Sequence, residues 1–263
     1  MSNNGVLAKY DICVNDLLKW IDNRGVKPLV LVITGSWMWG TSTETSDLDI
    51  RGIYIQPTRD ILSLHVPADT IEANKVLSDK VDIQLYEVAK VMRMLLNGNG
   101  NIVEMLLSPT MFYDLDAEYN PEWSHVARKF LTKKLYKYYE GFYHSQRQRA
   151  AKNRGSKALV YAARELMAGT WLMSEGEIIC DFWELRELYQ QRYSKLPLLD
   201  EFLKRENWNT PVADDKIKEF EAEWEHMTEI MKNERDASEL PEKEPADAYD
   251  QLNTMLLTIR KEN

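Results

Sequence analysis

The sequence predicts an α+β protein, with an N-terminal mixed-sheet α/β domain over residues 1–120 and an all-helical C-terminal domain over 121–263. Three observations lead there. Short apolar runs rich in β-branched residues all fall before residue 90. Beyond about residue 120 they vanish, and long stretches with apolar residues three or four apart replace them. A chain of 263 residues is also long enough to build two modest cores rather than one.

Taken in order, VLAKYDICVNDLLKWIDNR (6–24) places Val6, Tyr10, Cys13, Val14, Leu17, Leu18 and Ile21 at helical spacing and stops at Gly25. PLVLVI (28–33) reads as a buried strand closed by Gly35. LDIRGIYI (48–55) alternates and gives a second strand, and DTIEA (69–73) and KVDIQLYE (80–87) give a third and a fourth. VAKVMRMLL (88–96) is helical, GNGN breaks it, and NIVEMLLS (101–108) starts a short helix. Residues 122–152 and 156–176 read as long helices separated at Asn153–Gly155. FWELRELYQQRY, LPLLDEFLKREN, ADDKIKEFEAEWEHMTEIMKNE and AYDQLNTMLLTIRK continue the pattern. ASELPEKEPADAYD (237–250), rich in acids and proline, reads as a connection before the last helix.

Composition narrows the function classes. With 44% hydrophobic and 29% charged residues the chain is an ordinary folded protein. No apolar run approaches a membrane span and no basic-then-apolar leader opens the sequence, so a cytoplasmic protein without membrane contact is expected. Cys13 and Cys180 stand alone among apolar neighbours and read as small buried hydrophobes in a reducing compartment. No zinc-ligand pair, nucleophile elbow, P-loop or Rossmann glycine pattern occurs. The net charge of −9 hides an asymmetry: residues 128–165 hold eleven Lys or Arg and two acids, leaving about −18 on the rest. A phosphate-facing patch on an otherwise acidic protein fits that division.

The chemistry concentrates in TGSWMWGTSTETSDLDIR (34–51). On a strand Asp47 and Asp49 share a face, and two such carboxylates call for a positive partner, ordinarily a divalent cation with oxygen ligands. A polar Gly-Ser turn, two acids at i and i+2 and a third on a neighbouring strand are what two-metal phosphoryl or nucleotidyl transfer requires. Arg51 suits either a phosphate contact or an ion pair supporting the strand. Trp37, Met38 and Trp39 suit base stacking less well than packing against the neighbouring domain.

Gly35-Ser36 followed, ten residues on, by Asp47-Leu48-Asp49-Ile50 resembles the signature of the DNA polymerase β-like nucleotidyltransferases. Within that superfamily GSWMWGTSTETSDLDIRGIYI, KVDIQLYEVAKVMRMLLNGNGNIVEMLLSP and KALVYAAREL are most similar to the predicted nucleotidyltransferases of the RNA-repair-pathway DNA polymerase β family. The resemblance spans residues 28–175. It implies a Mg²⁺- or Mn²⁺-dependent enzyme that takes an NTP and releases pyrophosphate. Asp47 and Asp49 would be metal ligands and catalytic, with Ser36 on the triphosphate and Gly35 allowing close backbone approach. The third carboxylate would come from KVDIQLY: Asp82, inside the alternating strand, is preferred to Asp79, which the sequence places at a turn. The family often has Asn-Pro where this chain has Asn99-Gly100, a departure that bears on the 101–104 segment.

RKFLTKKLYKYYEGFYHSQRQRAAKNRGSK interleaves cations with aromatic rings, a composition that suits single-stranded nucleic acid. Leu135, Tyr139, Phe142 and Tyr143 form a core stripe, so several rings are expected to be buried, and His144 reads as structural. Lys157, Tyr161 and Arg164 share one helix face; the resemblance brings that helix to the triphosphate, making all three candidate nucleotide contacts. The expected acceptor is the 3′ end of an RNA, tRNA included, held through the basic segment 128–164. Transfer onto a protein or small-molecule hydroxyl, and an inactive nucleotide-binding module, are the alternatives.

Overall fold

A computed structural model describes residues 2–75, 77–114, 123–153, 156–204 and 211–261. Their contacts divide the chain into two compact units, residues 1–130 with 244–263, and residues 131–243. The boundary expected at 120/121 lies outside the described residues, as do residues 154–155 of the expected break and the end of the helix expected to run to Asn207.

The first unit opens with α1 (Asn3–Ala8) and α2 (Val14–Asp22), where the sequence suggests one helix. Asp11 adopts a left-handed φ of 57°, and the amides of Tyr10, Asp11 and Ile12 bond back to Leu7 and Ala8. The break turns both Tyr10 and Ile12 into the core, which an uninterrupted helix would not do. Cys13 begins α2 exposed rather than buried, its thiol donating to Asp16 at 2.8 Å. There follow β1 (Lys27–Thr34), the helical turn α3 (Gly35–Met38) and β2 (Leu48–Ile55). Next come α4 (Thr58–Ile61), β3 (Thr70–Ala73), β4 (Val81–Glu87) and α5 (Val88–Leu96). α6 (Gly100–Leu107), β5 (Met111–Asp114) and α7 (Trp123–Arg128) complete the run. Asn99 caps α6 by accepting from the Ile102 amide at 3.2 Å. Gly100 then takes the first helical position, the place where proline is otherwise favoured.

The five strands form one mixed sheet in the order β3-β4-β2-β1-β5, with β2 and β4 parallel and the other pairs antiparallel. β5, four residues without alternation, carries no strand signal in the sequence; its pairing with β1 makes it a strand. Leu48, Ile50 and Tyr54 of β2 and Val81, Ile83 and Leu85 of β4 face a core completed by Leu17 and Ile21 of α2. Each such side chain contributes about 1.5–3 kcal/mol on full burial. The opposite face changes character along its length: polar at the start of β2 and β4, apolar farther on, where α5 packs against both strands.

The second unit comprises α8 (Leu135–Asn153), α9 (Ser156–Glu175), α10 (Phe182–Arg192), α11 (Pro197–Leu203) and α12 (Asp214–Ala237). The single helix expected over 122–152 is interrupted between α7 and α8. There Lys133 donates its amide to Pro241 at 2.9 Å instead of continuing a helical ladder, while Phe130, Leu131 and Thr132 are buried. α8, α9 and α12 pack closely at Gly169, where a Cβ would come within 2.5 Å of Met231 and 2.9 Å of Tyr139. The last helix, α13 (Ala248–Lys261), returns to the first unit and packs on α5.

Candidate functional site

The polar stretch of the sheet gathers part of the predicted constellation. Asp49 and Asp82 stand directly opposite each other in the parallel β2–β4 ladder, and alternation turns both away from the α2 core. Both are half-buried, and Asp82 accepts the Lys75 amide at 3.1 Å. Asp47 is exposed and precedes β2 by one residue. Asp79 lies in an exposed turn and does not line the cavity described below.

Gly35 follows β1 with a left-handed φ of 63°, and a Cβ there would lie 2.4 Å from an Asp49 carboxylate oxygen. Only glycine meets both conditions. Ser36 is buried in α3, and its carbonyl accepts the Thr41 amide at 2.9 Å. The expected Gly-Ser turn is thus the opening of a short helix.

One row farther along the strands, Arg51 lies opposite Gln84, and Gln84 opposite Glu72 of β3. Arg51 donates to the Gln84 carbonyl oxygen and, at 2.9 Å, to the Tyr86 hydroxyl. Gln84 donates to Glu72 at 2.5 Å. These partners of Arg51 are an amide and a phenol. Asp49, Arg51, Glu72, Asn74, Asp82 and Gln84 together line a cavity of about 210 Å³.

Tyr10 carries no signal in the sequence beyond its place on an apolar face. Its hydroxyl accepts from Trp37 at 2.9 Å and donates to the Ser46 carbonyl at 2.6 Å. It therefore joins the helical turn after Gly35 to the loop that delivers Asp47. Burial raises its pKa, the Trp37 bond opposes that, and the charges of Asp47 and Asp49 raise it further. Trp37 meets the Tyr10 ring edge-on at 6.1 Å and packs on the core of this unit.

Among the described residues no three His, Cys, Asp or Glu side chains are gathered closely enough to hold a metal ion together. The facing pair Asp49 and Asp82 nevertheless offers hard oxygen donors on one cavity wall, with the space beside Asp49 kept clear of any side chain at Gly35. That donor chemistry fits Mg²⁺ or Mn²⁺ and does not resemble a zinc or copper site.

The helical candidates lie in the second unit. Lys157 is half-exposed, with its ammonium 5.5 Å from the Tyr161 ring centre, and Tyr161 is largely buried. Arg164, 1% exposed, pairs at 2.9 Å with the fully buried Glu165. Lys133 and Arg147 bond Glu242 and Glu221, acids distant in sequence. Part of the apparent excess of positive charge is therefore neutralised by folding. Of the rings, Tyr136, Tyr139 and Tyr143 are buried, whereas Phe142, placed in the core stripe by its spacing, is only half-buried.

A model of the RNA repair pathway DNA polymerase beta family matches residues 11–258. The chain belongs to that family. The match runs well past residue 175, where the motifs recognisable in the sequence end, and takes in both units. The family's name refers to DNA polymerase beta and to an RNA repair pathway. Similar proteins include the uncharacterized protein MJ0002 of Methanocaldococcus jannaschii, 29% identical over 60% of this chain and 65% of that protein. The uncharacterized protein YcgL of Bacillus subtilis is 30% identical over 38% of each. An uncharacterized 38.9 kDa protein of Enterobacteria phage T4 is 32% identical over 32% of this chain and 26% of its own length. In each case the chain spans less than two-thirds of the relative. No helix among the described residues is long and apolar enough to cross a membrane.

Proposed function

We propose that this member of the RNA repair pathway DNA polymerase beta family transfers a nucleoside monophosphate from an NTP to the 3′ hydroxyl of an RNA. The observation that carries the reading is the register pairing of Asp49 with Asp82 on a cavity wall, beside Gly35, where any Cβ would collide with the Asp49 carboxylate. The acceptor oxygen bonds to the α-phosphorus, the α–β phosphoanhydride bond breaks, and pyrophosphate leaves. Divalent cations, Mg²⁺ or Mn²⁺, held by Asp47, Asp49 and Asp82 would neutralise the triphosphate and lower the pKa of the acceptor hydroxyl.

The chain's own residues set the geometry of that step. Asp82, whose Oδ1 accepts the Lys75 amide, takes the acceptor's proton on its carboxylate. Asp49 is oriented by its place in the ladder beside Gly35, and Asp47 by the loop that Tyr10 fastens. Ser36 and the Gly35 backbone are the proposed triphosphate contacts. Arg51, directed by Gln84 and Tyr86, supplies a cation on the same cavity wall. Within the second unit, Lys157 and Tyr161 are the proposed nucleotide contacts, and the buried Arg164 supports that helix through Glu165.

The test is incorporation of each α-³²P-labelled NTP, with Mg²⁺ or Mn²⁺, into RNA oligonucleotides, total tRNA and the protein itself. Asp47→Ala and Asp49→Ala are run in parallel. Label is expected in RNA and is abolished in both variants while their melting curves stay cooperative. Undiminished transfer by either variant overturns the assignment, and label confined to protein moves the acceptor to a protein hydroxyl.

A further inference from the structure

We propose that the outward face of α8 is a docking track for single-stranded RNA, an inference that rests on the RNA-acceptor reading and names the surface serving it. α8 turns Tyr136, Tyr139, Tyr143, Gln146 and Ala150 inward. Lys137, Gly141, Gln148 and Lys152, spaced by four, seven and four residues, are all exposed on its other side, with Arg149 beside them. They span about 22 Å of helix. Glu140 is the only acid in α8, and it accepts from the Tyr136 hydroxyl at 3.0 Å.

Three observations single out this face. Of the four Lys and Arg residues of α8, Arg147 is committed to Glu221, and Lys137, Arg149 and Lys152 are exposed. Gly141 lies in mid-helix, where glycine is disfavoured relative to alanine. Among the described residues nothing requires it: a Cβ there would meet no atom within 4 Å. A residue that weakens the helix and answers no packing need does leave bare backbone for a ligand to approach. Beside it, Tyr138 and Phe142 are half-buried and stacked, 5.9 Å apart and 12° from parallel, one helical turn from each other. Cations for phosphate, rings for unpaired bases and an uncovered stretch of backbone suit a single strand better than a duplex, whose bases are not free to stack.

The experiment measures anisotropy of a 5′-fluorescein-labelled oligoribonucleotide with the full chain across a range of salt concentrations, transfer of α-³²P-NMP to the same RNA, and NTP affinity. The proteins compared are wild type, Gly141→Ala, Gly141→Glu and Lys137→Gln/Lys152→Gln. Gly141→Ala is expected to raise the melting temperature yet weaken RNA binding severalfold, a combination that a purely structural glycine would not give. Gly141→Glu should weaken binding more than tenfold. The double variant should reduce the slope of log affinity against log salt by about 1.4, the loss of two phosphate contacts on a single strand. NTP affinity should be unchanged throughout. If the variants bind and extend RNA like wild type, this face is the wrong one while the transfer reading stands. If they lose NTP rather than RNA, the face serves free nucleotide and the proposal falls. If wild type neither binds nor labels RNA, the RNA-acceptor reading fails and this proposal with it.

Discussion

Tyr10 and Gly35 lie outside the carboxylate pattern, yet the geometry of that pattern depends on both. The Tyr10 hydroxyl holds two bonds at once, from Trp37 and to Ser46, and its raised pKa keeps the proton on the oxygen through neutral and mildly alkaline pH. Tyr10→Phe keeps the ring against Trp37 and removes both bonds. At about 0.5–1.5 kcal/mol per bond the fold should survive with a melting temperature lowered by a few degrees. The loop before Asp47 would lose its fastening. Transfer activity is therefore expected to fall about tenfold, out of proportion to the stability loss, because misplaced catalytic groups lose rate steeply. Initial rates at saturating NTP beside a thermal melt check this, and an unchanged rate would remove Tyr10 from the site.

Two elements are held by buried polar contacts that local sequence does not reveal. Arg260 of α13 donates to Glu87 at 2.5 Å and to the Gln56 carbonyl at 2.8 Å, with the two side chains 12% and 7% exposed. Glu87 also caps α5 through the Ala89 amide. Arg260→Ala strands a buried carboxylate and should cost about 3–5 kcal/mol, read as a lower urea midpoint. Replacing both partners, Glu87→Gln with Arg260→Met, should recover part of that loss. In the second unit Glu223 of α12 accepts the Leu198 and Leu199 amides at the start of α11. Burial raises its pKa, those amide bonds oppose the shift, and Asp200 adds to it. A carboxyl whose folded pKa lies above its unfolded value destabilises the fold once ionised. Its penalty therefore grows as pH rises from about 4.3 and levels off above the raised value. Glu223→Gln keeps an acceptor without the charge, so the stability difference from wild type should move in the variant's favour between pH 4 and pH 8. Urea titrations across that range measure it, and a difference independent of pH would contradict the assignment.

At the scale of the whole molecule, ligand binding should register as stability. An NTP with Mg²⁺ at a hundredfold excess over its Kd stabilises the folded chain by about 2.7 kcal/mol through mass action. A rise of several degrees in melting temperature is expected for wild type, and none for Asp49→Ala. The sequence by itself determined the mixed α/β character, four of the five strands and the extent of α9. Those features depend on local periodicity; that Asp49 meets Asp82 is decided by the register of two strands, and Asp47, expected on the strand face with Asp49, lies just before it. Tertiary structure alone decided the rest. β5 is a strand because β1 offers it an edge. α1 and α2 are two helices because both Tyr10 and Ile12 have a core to enter. α13 belongs with the first unit because Arg260 reaches Glu87 across 173 residues of chain. The basic segment loses part of its charge because α12 brings Glu221 to Arg147. Contacts between residues far apart in the chain leave no periodic trace in either segment. Only the folded arrangement shows which carboxylate meets which cation, and which cations are left facing solvent.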